Sequence, residues 1–152
     1  MAKIDEIVNN IVTEWEGDAH IDATQIDSAS LSTPVLHCKY LRMLSGWKTK
    51  KTTLKSRLHE MRDAKIRYWR GEMSREELQH YGWAQWQYNK PAKVELENML
   101  AADSDVSNIQ MQLEGCETII YVLESIMREI NNRNFTISNY IKIKQFTQGE
   151  TI

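Results

Sequence analysis

DVSNIQMQLEGCETIIYVLESIMREINN, residues Asp105 to Asn132, sets its apolar side chains at alternating four- and three-residue steps. Ile109, Leu113, Cys116, Ile120, Leu123, Met127 and Ile130 follow the series without a fault. That spacing returns each residue to one helix face, and three heptads of it mark a coiled-coil or bundle seam. Gly115 interrupts the run of good helix formers, which suits the close approach of a neighbouring helix. After "NNRN", the residues Phe135, Ile137, Ile141, Ile143 and Phe146 predict a short closing helix. The seam has two candidate partners: a second copy of the chain, or other helices of the same chain. A chain of 152 residues with 41% apolar content is globular but has a modest core. Self-association relieves that shortage, so the seven seam residues and Phe135 are the expected oligomerisation set.

Upstream, Ile4, Ile7, Val8, Ile11, Val12 and Trp15 share one helical face. They predict an N-terminal helix over residues 1–16, stopped by Gly17-Asp18. "HIDATQIDSASLSTP" reads as a polar linker with room for a short helix. Thr33-Pro34 offers a helix start, because Thr caps and Pro is tolerated at the first helical position. From there a long helix is expected over residues 34–70. Leu36, Tyr40, Met43 and Trp47 make one seam in it; Leu54, Leu58, Met61, Lys65 and Tyr68 make another, offset by a stutter. Residues 71–91 form a loop region, with Ser74 and Glu77 at capping-box spacing for a short helix around 75–80. Helix resumes near Ala92, and "ADSD" supplies a further cap. Residues 92–152 are the expected oligomerisation helices. No strand and no internal repeat is predicted. The fold class is all-α, a single domain over residues 1–152, with long helices in a bundle or coiled-coil-like oligomer.

Charge is unevenly spread. The net charge is −2, yet residues 1–35 carry −6, residues 36–70 carry +9 and residues 71–152 carry −5. KTKKTTLKSRLHEMRDAKIRYWRG, Lys48 to Gly71, holds nine basic residues against Glu60 and Asp63. At 100° per residue Lys48, Lys51, Lys55 and Arg62 fall within about 60° of one another. Lys50 and Arg57 flank the apolar seam on its other side, and Lys65 falls on the seam itself. A solvated helix face usually mixes signs; only Glu60 and Asp63 interrupt this one, and it points to a polyanion. Arg67 and Arg70 bracket Tyr68 and Trp69, and aromatic rings among cations suit single-stranded nucleic acid, where every base can stack. Trp83, Trp86 and Tyr88 are further stacking candidates, or else rings packed beneath the loop. A membrane surface fits less well, since the basic flank lacks an exposed apolar face.

Catalysis is not expected. "GWKTKKT" has Lys51 where a phosphate loop needs its second glycine, and no strand precedes it. His20, His37, His59 and His80 show no metal-ligand spacing with one another or with Cys38 and Cys116. No cofactor or metal is implied. Two distant cysteines without a secretory leader suggest reduced thiols in a cytoplasmic compartment. No apolar run approaches the roughly 18 residues of a membrane span.

"IDAT" at Ile21–Thr24, "HCKYL" at His37–Leu41 and "YWRG" at Tyr68–Gly71 resemble segments of the UvsY family, the recombination mediators of T-even-type bacteriophages. "MLAADSDV" at Met99–Val106 and "RNFTISNYIKIKQFTQG" at Arg133–Gly149 complete the resemblance. It covers nearly the whole chain, with extra residues at the N-terminus and after Gly71. The resemblance implies a non-enzymatic mediator acting in the cytoplasm of the infected bacterial host. Such proteins bind single-stranded DNA cooperatively as ring-shaped homo-oligomers, weaken the grip of the phage single-strand-binding protein, and load the phage recombinase, UvsX. It also implies that the C-terminal heptads assemble the oligomer. The family's basic contact positions, counted back from Tyr68, fall on Asp63 and Lys65. Asp63 departs from the basic pattern, which passes that contact to Arg62 or Arg67. Two rival readings remain. A duplex-DNA regulator would join its zipper directly to the basic helix, whereas the heptads here lie in another helix. A structural assembly protein would pair the basic helix with acidic segments of its neighbours and bind no nucleic acid.

Overall fold

Helical periodicity and good caps produce five α-helices, and no strand, among residues 2–149, which the computed structural model describes. They are α1 (Ala2–Ala19), α2 (Ile26–Trp69), α3 (Arg75–Tyr81), α4 (Lys93–Ala102) and α5 (Ser104–Thr147). The all-α expectation holds. Three expected boundaries do not, and each moves for a physical reason.

α1 continues past Gly17 because its end is capped from elsewhere in the chain. The buried Arg133 guanidinium donates to the carbonyls of Ala19 at 3.1 Å and of Asp18 and His20 at 3.5 Å. A cation at a helix C-terminus also meets the negative end of the helix dipole. α2 starts at Ile26, so Pro34 lies inside it. Asp22 makes the turn before it, its Oδ1 accepting from the Thr24 N–H at 2.8 Å and the Thr24 hydroxyl at 2.7 Å. Ile26, Ala29 and Thr33 then carry the buried stripe of Leu36 and Tyr40 back by two turns. That burial outweighs an internal proline, which costs about 3 kcal/mol. α5 passes through "NNRN" without a stop, because Arg133 and Ile137 continue its buried side.

The chain forms two compact units. The first comprises the residues up to Thr49 and those from Gly115 onward; the second is Lys50–Glu114. In the first, Ile11, Tyr40, Leu44, Ile119, Ile120, Leu123, Ile126 and Ile130 form the core, with Ile4, Ile7, Trp15, Leu36 and Met127 packed against it. Trp15 meets Tyr40 edge-on at 5.4 Å. The Tyr40 hydroxyl donates to Asp18 at 3.0 Å, and Lys39 pairs with both Asp18 and Glu14. Burial, then the bond to Asp18, pushes the Tyr40 phenol well above its ordinary range. A Cβ on Gly115 would sit 2.8 Å from Ile4, so this glycine does mark a close approach, by α1.

In the second unit Trp69, Leu96, Leu100 and Val106 form the core, with Leu58, Met61, Ile66, Tyr68, Trp86 and Met99 against it. α3 carries the expected capping box: the Glu77 N–H donates to Ser74 Oγ at 3.2 Å, and the Ser74 N–H to Glu77 at 2.8 Å. Gly82 ends α3 at φ 69°, where a side chain would be strained. Asp103 caps α5, accepting from the N–H groups of Asp105 and Val106 at 3.0 Å.

Candidate nucleic-acid interface

The cations of α2, and Arg70 just past its end, divide by what they touch. Lys55, Arg57 and Arg70 are exposed, and no carboxylate among the described residues pairs with them. Arg62 meets Glu97 at 3.3 Å and Arg67 meets Glu77 at 2.7 Å, both with well-exposed side chains. Pairs of that kind are worth at most about 1 kcal/mol, so a phosphate can take the place of either carboxylate. Lys50 is exposed and Lys51 half-buried. Lys48 belongs to the first unit and pairs with Glu124 at 2.8 Å. From Lys50 to Arg70 the cations all belong to the second unit. Asp63 is exposed among them.

Lys65 stands apart. It is only 8% exposed, and its Nζ lies 2.8 Å from both Asp103 and Asp105 and 4.4 Å from the centre of the Trp83 ring. Burial pulls the Lys65 pKa down, but the bonds to the two carboxylates outweigh it and raise it above the ordinary lysine value. Burial likewise pushes Asp103 up, and the Lys65 bond with the backbone N–H groups of Val106 and Asp105 holds it below the usual carboxylate range. This side chain ties α2 to the start of α5 within the second unit. The "DSD" carboxylates were legible as a helix cap, and their second task follows from a lysine on an apolar seam needing an anion.

The aromatic residues also divide. Trp69 is buried in the core. Tyr68 is half-buried, 5.1 Å from Trp83 and 5.7 Å from Trp86. Trp83 stacks on Tyr81 at 4.4 Å, a ring not singled out in the sequence. Tyr88 leans edge-on against Trp86 at 4.9 Å and remains 76% exposed.

Of the expected oligomerisation residues, Ile109, Leu113, Cys116, Ile120, Leu123 and Ile130 are buried within one chain, and Met127 is half-buried there. Phe135 is 72% exposed. Further along α5, Ile143 is 63% and Phe146 85% exposed. At 100° per residue Phe135, Phe146 and Ile143 lie within about 80° of one another, one apolar stripe. Neither Cys38 nor Cys116 forms a disulfide, and no group of three or more metal-ligating side chains occurs among the described residues. No helix of the described residues is long and apolar enough to cross a membrane.

A family model described as "Recombination, repair and ssDNA binding protein UvsY" matches residues 14–150. No curated protein matches the chain significantly. Among solved structures, a crystal form of the bacteriophage T4 recombination mediator protein UvsY (lattice type IV) superposes with a TM-score of 0.79 at 19% identity, covering 91% of this chain and 98% of that one. Lattice type II of the same phage protein gives 0.79 at 18% identity, over 92% and 96% of the two chains. At such identities the superposition establishes the shared all-helical fold. The family match spans most of the sequence and establishes more: the chain belongs to the UvsY family.

Proposed function

We propose that the protein is a recombination mediator. It binds single-stranded DNA as a homo-oligomer, weakens the phage single-strand-binding protein on the strand, and loads a UvsX-like recombinase in recombination-dependent replication and repair. The place of action is the cytoplasm of the infected bacterial host. The observation that carries this reading is a set of exposed cations, Lys55 and Arg57 on α2 and Arg70 just past its end, without carboxylate partners among the described residues and inside the family match. Lys51 and Arg62 lie on the side of the helix that carries Lys55, Lys50 lies with Arg57 on the other side of the apolar seam, and the phosphodiester backbone is the ligand such clustered charges attract.

Assembly multiplies the effect. The heptad seam is largely buried within the chain, and the exposed apolar stripe of Phe135, Ile143 and Phe146 is the proposed contact between copies. Burying each of these side chains yields about 1.5–3 kcal/mol. Several basic helices in one oligomer then give a strand a multivalent track, and linked weak sites reach high avidity without new contacts. A strand held and bent by many subunits presents less continuous length to the competing single-strand-binding protein.

The test is the salt dependence of binding. Each phosphate neutralised contributes about −0.7 to the log–log salt slope on single strands. Lys55→Ala/Arg57→Ala/Arg70→Ala is expected to weaken binding and flatten the slope by about 2. Unchanged affinity and slope would remove this surface from consideration.

A further inference from the structure

The loop after α3 has a use that the basic helix does not supply. Three of its rings join one from α2 and one from α3 in a line of contacts: Tyr81 stacks on Trp83, Trp83 meets Tyr68, Tyr68 meets Trp86, and Trp86 meets Tyr88. The chain of rings is anchored at its second ring by the Lys65 ammonium over Trp83, itself fixed by Asp103 and Asp105. The Trp86 Nε1–H donates to the Asn89 carbonyl at 3.4 Å across the turn that carries Tyr88. The last ring is thus held in place yet is 76% exposed.

We propose that Tyr88 is a stacking platform for one unpaired nucleobase of the strand held by α2. This rests on the single-strand reading above and adds a base contact to its phosphate contacts. The surroundings select the occupant. From Trp83 to Val94 the chain has no Asp or Glu, while Lys90 and Lys93 are exposed. A phosphate can therefore accompany the base without meeting a carboxylate in this segment. A pre-positioned ring loses little conformational entropy on binding, and stacking accepts any base.

The experiment compares an oligothymidylate with an abasic strand of the same length, so that phosphates are equal and only bases differ. The full-length protein and Tyr88→Ala are titrated with both by fluorescence anisotropy; Tyr88→Phe, which keeps the ring, is the control. Stacking one base predicts that Tyr88→Ala weakens oligothymidylate binding about 5- to 100-fold. Abasic binding and the salt slope stay unchanged, and Tyr88→Phe behaves as the parent. Equal affinity of Tyr88→Ala and the parent for oligothymidylate overturns the platform while leaving the basic surface standing. An equal loss on both strands overturns it too, since a stacked base cannot explain it. Failure of the parent to bind either strand overturns the single-strand reading and the platform with it.

Discussion

Lys65 separates charge that serves the fold from charge that faces outward. A lysine on a helix seam is costly unless an anion meets it, and here two carboxylates do. Lys65→Met leaves Asp103 and Asp105 without their cation, and a loss of about 3 kcal/mol is expected by urea unfolding, the low end for a buried pair because Asp105 is half exposed. Acid should act through the same pair. Asp103 has its pKa depressed in the folded state, so its stabilisation is present above its ordinary value of 3.8 and is lost as pH falls through the lower folded value. Urea midpoints of the parent should therefore drop below about pH 4 more steeply than those of Lys65→Met; parallel curves would contradict the pairing. The sequence already marked Lys65 as out of place on its seam. Its partners were hidden because nothing local links it to a cap much later in the chain.

Helix interiors were legible and helix ends were not. The steps of Ile109 to Ile130 and of Leu54 to Tyr68 predicted the buried sides of α5 and α2, since burial follows a period that any helix must obey. Gly17 and "NNRN" are local stop signals and Thr33-Pro34 a local start signal, and each was overridden by burial or by contacts from elsewhere in the chain. Arg133 is the clearest case, since it extends α1 and keeps α5 running. Arg133→Met should cost on the order of 2–3 kcal/mol through its lost charged hydrogen bonds, with faster amide exchange at the end of α1. Stability equal to the parent would deny the capping role. Gly115 gives a second test. Alanine favours helix by about 1 kcal/mol over glycine, but its Cβ would meet Ile4 at 2.8 Å. Gly115→Ala is expected to destabilise by about 1–2 kcal/mol through overpacking, and Ile4→Ala should relieve it. A double-mutant cycle with coupling below about 0.5 kcal/mol would show that α1 yields without cost.

At the scale of the whole chain, the seam read as an assembly surface is buried within one chain, and the proposed contact between copies is the exposed stripe of Phe135, Ile143 and Phe146. Periodicity cannot tell a partner helix of the same chain from one of another, because both bury the same face. Phe135→Asp/Phe146→Asp should lower the mass measured by light scattering without changing helical content; an unchanged mass would place assembly elsewhere. Likewise the basic stretch was visible in the sequence, while the division between outward cations and the buried Lys65 required the fold. The most direct measurement is fluorescence anisotropy of a labelled single-stranded oligonucleotide and its duplex, each titrated with the protein at three salt concentrations. Tight binding that prefers the single strand and weakens steeply with salt is the predicted result. Preference for the duplex, or no binding to either at moderate salt, would contradict the mediator account.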